Sequence, residues 1–149
     1  MTDPIVIEFE VGAGPEHAFH TWTDRCGMWW PPSHSVGQRP DFDVVFEARV
    51  GGRIYERTSD GTEHEWGTVT AWEPPWRLAY RWHIFLPPDR ATDVTVSFSP
   101  TEGGTKVRLE NHGFEIFGDA AVERVERVGG AWRTIVASYE EAVAARPQV

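Results

Sequence analysis

One cysteine, Cys26, and two methionines are all the sulfur this 149-residue chain carries. An intrachain disulfide is therefore excluded, and so is a CxxC or cysteine-rich zinc site. Lysine is almost as scarce: Lys106 is the only one, which removes the usual Schiff-base nucleophile. Lys and Arg together number 14 against 23 Asp and Glu, leaving a formal net charge of −9. That balance argues against nucleic acid, whose binding relies on basic side chains at phosphates, and against an anionic membrane surface. No apolar run approaches the roughly 20 residues of a membrane span, and MTDPIVIEFEV has no basic region or apolar stretch of a signal peptide. A cytoplasmic protein without membrane insertion is expected. Neither GxSxG nor GxxxxGKS occurs. Gly12-x-Gly14 has His17 where a dinucleotide fingerprint needs a third small residue, and a meander follows it. No cofactor is expected. Six histidines are present, but His17 and His20 share a helix with no third ligand, and no metal site is expected either.

What is present is an ordinary apolar content of 40% and an aromatic content of 13% that includes eight tryptophans. Such a composition suits a wide core or an aromatic-lined cavity. No linker or repeat divides the chain, so one domain spanning 1–149 is expected. Ile5–Val11 alternates as a strand; Pro15 then opens a helix that carries Ala18, Phe19 and Trp22 on one side. Residues 28–40, with adjacent Trp29 and Trp30, read as an ordered flap or short helix, and from a regular helix only one of the two indoles is expected to point inward.

Between residues 41 and 114 strand follows strand, punctuated by VGG, SDGT, EPPW, LPPDR and TEGG. Centring hairpins on these turns pairs Glu56 with Glu65 and Ile54 with Gly67. The next turn pairs Gly67 with Trp82, Val69 with Tyr80 and Ala71 with Leu78. The last pairs Phe98 with Val107, Val96 with Leu109 and Val94 with Asn111. One face then collects Ile54, Gly67, Val69, Ala71, Leu78, Tyr80, Trp82, Ile84, Val94, Val96, Phe98, Val107 and Leu109, joined by Phe42, Val44, Phe46 and Ala48; the other collects Arg53, Arg57, Arg81, Lys106 and Arg108. A slip of one residue would invert every assignment. The dry face needs a cover, and residues 119–145 supply one: Val122, Val125, Val128, Trp132, Ile135, Val136, Tyr139 and Val143 recur at helical spacing. Gly129-Gly130 inside that helix predicts a bend or a close approach to the sheet. The expected class is α+β, a curved antiparallel sheet wrapped around a long C-terminal helix.

PEHAFHTWTD, the WW pair, GGRIYE, WGTVTAWEPPWRLAYRW, TKVRLENHGF and GGAWRTIVASYEEAV occur in that order. With this order and spacing the chain resembles the SRPBCC (START-like) superfamily, and within it the bacterial homologues of the C-terminal domain of the Hsp90 ATPase activator. The resemblance implies a helix-grip fold with a hydrophobic cavity between sheet and helix. Such proteins bind lipids, sterols or polyketides, and a few catalyse cyclisations. The eukaryotic co-chaperone has a further N-terminal domain with no counterpart in these residues, so its activity is not expected to carry over.

The pocket candidates are Trp30, Phe46, Ile54, Glu56, Glu65, Gly67, Tyr80, Trp82, Ile84, Val96, Phe98, Leu109, Asn111, Trp132, Val136 and Tyr139. The register sets Glu56, Glu65, Ile84, Val94 and Asn111 in one row, where two facing carboxylates would perturb each other and serve as acid or base. The row equally fits solvated strand ends. Trp82 over Gly67 fits a cavity wall or plain packing, as do Tyr80, Phe98, Trp132 and Tyr139 in an open or a collapsed interior. Tyr55 and Trp66, opposite each other on the wet face, fit a partner surface or cross-strand stabilisation. Three functions follow. The first is binding of a small apolar or amphipathic molecule. The second is a cyclase- or hydrolase-type enzyme using Glu56, Glu65 and Asn111, and the third a co-chaperone-like interaction domain. A monomer or weak homodimer is expected.

Overall fold

The computed structural model describes residues 3–145; the first two and last four residues of the expected 1–149 domain lie outside the described residues. The chain runs β1 (Ile5–Val11), α1 (Pro15–Thr23), α2 (Cys26–Trp29), β2 (Phe42–Phe46), β3 (Arg53–Thr58), β4 (Glu63–Glu73), β5 (Arg77–Trp82), β6 (Thr92–Thr101), β7 (Gly104–His112) and α3 (Ala121–Ala145). Short three-ten turns occupy Pro32–His34, Pro88–Arg90 and Phe114–Ala120. All seven strands form one antiparallel sheet in the order β1-β7-β6-β5-β4-β3-β2. The sheet is a curled half-barrel with α3 held in its concavity: the α+β class that the alternation predicts, and the helix grip that the resemblance implies.

The pairings drawn from the turns hold wherever the strands are regular: Ile54 opposes Gly67, Gly67 opposes Trp82, Val69 opposes Tyr80, and β6 meets β7 as expected. They fail at two β-bulges. One leaves Trp66 as an extra residue between Glu65, which opposes Tyr55, and Gly67. Glu56 therefore opposes His64, not Glu65. The second leaves Thr70 extra, so that Ala71 opposes Ala79 and Trp72 opposes Leu78. An extra residue exchanges the faces of everything beyond it. Trp66 accordingly turns into the core, fully buried, and Trp72 packs edge-on against Phe19 at 5.3 Å. The exposed aromatic pair Tyr55–Trp66 does not exist; Tyr55 instead lies under the guanidinium of Arg53 at 4.3 Å. Ala48 falls beyond β2 and is exposed. Gly67 is demanded by the sheet itself, since a Cβ there would sit 2.0 Å from the carbonyl oxygen of Arg81.

α1 buries Ala18, Phe19 and Trp22 as its spacing predicts. Trp29 and Trp30 are both buried, contrary to expectation, because α2 ends between them and Trp30 adopts extended backbone angles. α3 presents Trp132, Ile135, Val136, Tyr139 and Val143 to the interior, whereas Val122, expected on the same face, is exposed in the first turn, before the helix meets the sheet. Gly129-Gly130 does not interrupt it; Gly129 is buried, and a Cβ there would contact Ile5 of β1 at 3.9 Å. The middle of the grip is filled by aromatic side chains. Trp22, Trp29, Trp30, Trp66, Trp82 and Trp132 form one contiguous cluster with ring centroids 4.8–6.5 Å apart. Ring edges meeting ring faces make such clusters more cohesive than their area alone.

Candidate functional site

Trp82 and Trp132 are in ring contact at 5.8 Å, so no open chamber separates sheet from helix at the centre. A cavity lies instead at one end of the grip. It measures about 190 Å³ and is enclosed by Trp30, Trp82 and Trp132 on its inner side and by Ile84, Phe85 and Leu86 from the β5–β6 connection. Phe114 and Phe117 of the preceding three-ten turn and Val128, Ala131 and Ile135 of α3 complete the apolar wall. Its polar margin consists of His34, His83, Thr92, Asn111, Arg124 and Arg127.

Five sequence candidates meet at this cavity: Trp30, Trp82, Ile84, Asn111 and Trp132. Phe46, Ile54, Gly67, Tyr80, Val96, Phe98, Leu109, Val136 and Tyr139 face the packed interior, where neighbouring side chains occupy the space. The row Glu56–Glu65–Ile84–Val94–Asn111 is absent. Val94 opposes Tyr80, Asn111 lies beside them, and Ile84 is past the end of β5.

Glu56 and Glu65 separate because the bulge at Trp66 turns them to opposite faces. Glu65 is half-exposed on the outer surface, 3.6 Å from Arg53 and 3.5 Å from His83. Glu56 is fully buried. Its Oε1 accepts from the backbone N–H of Val36 at 2.8 Å and from the indole of Trp66 at 3.1 Å, and its Oε2 accepts from the N–H of Gly37 at 2.9 Å. These bonds make Glu56 the clip that holds the flap after Trp30 against β3. Asn111 is equally committed. Its amide donates to the Thr92 hydroxyl at 2.9 Å and the Asp93 carbonyl at 3.1 Å, and its oxygen accepts from the Trp132 indole at 3.0 Å. It locks the key tryptophan of α3 to β6 and leaves no proton to exchange with a guest.

The outer wall of the cavity is tied down by His83, whose side chain is almost buried. Its Nδ1 is 3.0 Å from the Leu86 carbonyl, and its Nε2 faces Glu65. Between them Phe85 has φ of 67° and stands 55% exposed. A bulky residue in the left-handed region is strained, and such strain gathers at functional sites. Elsewhere the interior is chemically quiet. Burial, helped by the nearby Asp43 carboxylate, pushes the Cys26 thiol well above its usual range. Burial likewise raises the Tyr139 phenol, which donates to the Ala18 carbonyl at 2.7 Å. Among the described residues no three His, Cys, Asp or Glu side chains converge on a metal-sized site, and no helix is long and apolar enough to cross a membrane.

Sequence reasoning missed Phe85, Leu86, Phe114, Phe117 and the two arginines. The LPPDR turn was legible as a connection, but a connection carries no periodicity from which to read which side it presents.

A family model described as Activator of Hsp90 ATPase homolog 1-like protein matches residues 13–144. Among solved structures, the anthrahydroquino-gamma-pyrone synthase Txn09, solved as a complex, is similar at 32% identity. That match covers 94% of this chain and 96% of the synthase, with a TM-score of 0.64. The protein MLL2253 of Mesorhizobium loti is similar at 21% identity over 99% of this chain and 100% of its own, with a TM-score of 0.70. A Rhodobacter sphaeroides protein reaches the same score at 22% identity over 97% and 93%. No curated protein matches the chain.

Proposed function

We propose, from the premise that this chain belongs to the Activator of Hsp90 ATPase homolog 1-like family, that it binds a small ring-bearing apolar or amphipathic molecule in the cavity at the end of the grip. The observation that carries this reading is the wall of three indoles, Trp30, Trp82 and Trp132, around about 190 Å³ of space. Apolar cavities of about 150 Å³ stay dry and admit benzene, so this one suits one ring or two fused rings. Flat faces are what tryptophan walls accommodate. The 32% identical synthase, which is named for a fused pyrone product, supports a ligand of the same flat character.

Binding is better supported than catalysis. Glu56 and Asn111 have their hydrogen-bonding capacity engaged inside the protein, and Glu65 faces outward. General acid–base work needs a group within hydrogen-bond reach of the substrate.

Calorimetric titration with 2-naphthalenemethanol and 2-naphthoate tests the proposal. With about twelve non-hydrogen atoms at roughly 0.5 kcal/mol each, a Kd on the order of 10–100 μM is expected. Ala131→Phe fills the cavity from α3 and is expected to abolish binding of both probes. Absence of binding by both probes, or undiminished binding to the filled variant, would refute the proposal.

A further inference from the structure

The rim of the cavity is positive in a chain that is otherwise strongly acidic. Arg124 and Arg127 line the space, and no Asp or Glu does. The two differ in how they are engaged. Arg127 donates to Glu123 one turn back at 2.7 Å. Arg124 has no carboxylate within ion-pair distance among the described residues; its guanidinium lies over the Phe117 ring, 4.8 Å from the centroid. Three arginines of the outer face, Arg53, Arg57 and Arg108, by contrast each meet a carboxylate at 3.0–3.2 Å.

A guanidinium stacked on an aromatic ring is held in one plane with its N–H edge available. That edge matches a carboxylate with two parallel hydrogen bonds. Stacking on Phe117 also removes much of the rotamer freedom that ordinarily weakens a surface ion pair. Phe117 and Arg124 both line the cavity, so the cation stands beside its apolar wall.

We infer that the ligand is an organic acid. Its flat apolar body lies against Trp30, Trp82 and Trp132, and its carboxylate stands at the mouth against Arg124. This inference rests on the binding reading above and narrows it from any ring-bearing molecule to aromatic or compact alicyclic monocarboxylates. Arg127, already neutralised by Glu123, plays the lesser part.

The test compares 2-naphthoate with its neutral isostere 2-naphthamide on the full chain by calorimetry. Wild type is expected to bind naphthoate about tenfold more tightly, the scale of one well-placed charge-assisted pair. Arg124→Gln is expected to shrink that ratio to within about twofold, and Arg127→Gln to leave most of it. The melting temperature of each variant confirms that it is folded. If naphthamide binds wild type as tightly as naphthoate, the acid inference is wrong while the cavity reading stands. A naphthoate preference that survives Arg124→Gln overturns the assignment to Arg124. Failure of both probes overturns the binding reading and the inference with it.

Discussion

Replacing Glu56 with glutamine separates the structural role assigned to it from an acid–base role. The carboxylate receives three N–H groups in a fully buried position: Val36 and the Trp66 indole on Oε1, Gly37 on Oε2. Glutamine keeps one acceptor. If its oxygen takes the Oε1 position, its NH₂ confronts the Gly37 N–H donor to donor. One charge-assisted bond is lost, about 1.5–3 kcal/mol, and a buried donor is left unsatisfied, about 1–3 kcal/mol. Relaxation of the flap recovers part of this, leaving a net cost of about 2–4 kcal/mol. For a chain of this length each kcal/mol moves Tm by about 2–4 °C, so a fall on the order of 10 °C is expected. Hydrogen exchange at the Val36 and Gly37 amides should accelerate more than exchange in β6 and β7, because the flap is released first. Glu65→Gln is the matched control. It lies in exposed ion pairs worth about 0–1 kcal/mol and should move Tm little. A Tm change below about 2 °C for Glu56→Gln, with Val36 and Gly37 still protected, would refute the reasoning.

Gly67→Ala should destabilise by more than about 4 kcal/mol, because its Cβ would meet a backbone oxygen of β5 that cannot yield without parting the strands; soluble yield and thermal melting read this out, and near-wild-type stability would contradict the close approach. Asp60 is held down to a pKa of about 2, first by the Thr58 hydroxyl and then by the Thr62 N–H. The folded state thus favours the carboxylate. Its contribution is complete above the ordinary value of 3.8 and is lost as pH falls towards 2. Carboxyl NMR titration should find that depressed midpoint, and Asp60→Asn should flatten the acid limb of the stability curve between pH 4 and pH 2.

Much of the sheet could be read from its turns. SDGT, EPPW and TEGG lie where the hairpins reverse, and β5, β6 and β7 keep one unbroken register with each other from end to end. β4 was the difficulty. Alternation in EHEWGTVTAW sends Gly67, Val69 and Ala71 inward and both Trp66 and Trp72 to water. Two outward tryptophans on one strand were the available warning that its phase changes. A bulge costs one residue of register and leaves no composition signature, so pairing rules cannot supply it. The cavity was half legible for a related reason. Trp30, Trp82 and Trp132 were found because they belong to patterned elements or stand conspicuously together. Phe85 and Phe117 belong to irregular segments, and Arg124 looked like any charged residue on the solvent side of a helix. The placement of Glu56 was right as to face and wrong as to partner, and that difference turns a paired acid into an anchoring clip.

The tryptophan cluster has an optical consequence. Six of the eight indoles stand close enough for their excited states to couple, while Trp76, 53% exposed, stands apart from the cluster. Light absorbed at Trp22, on the buried side of α1, is passed within the cluster before it is emitted, so the emission of the whole group answers to its most perturbed member. Trp30, in contact with four of the other five, lies at the centre of that exchange. A guest touching that single ring would recolour the emission of the entire interior and reshape the near-ultraviolet circular dichroism, giving the chain a built-in optical gauge of occupancy.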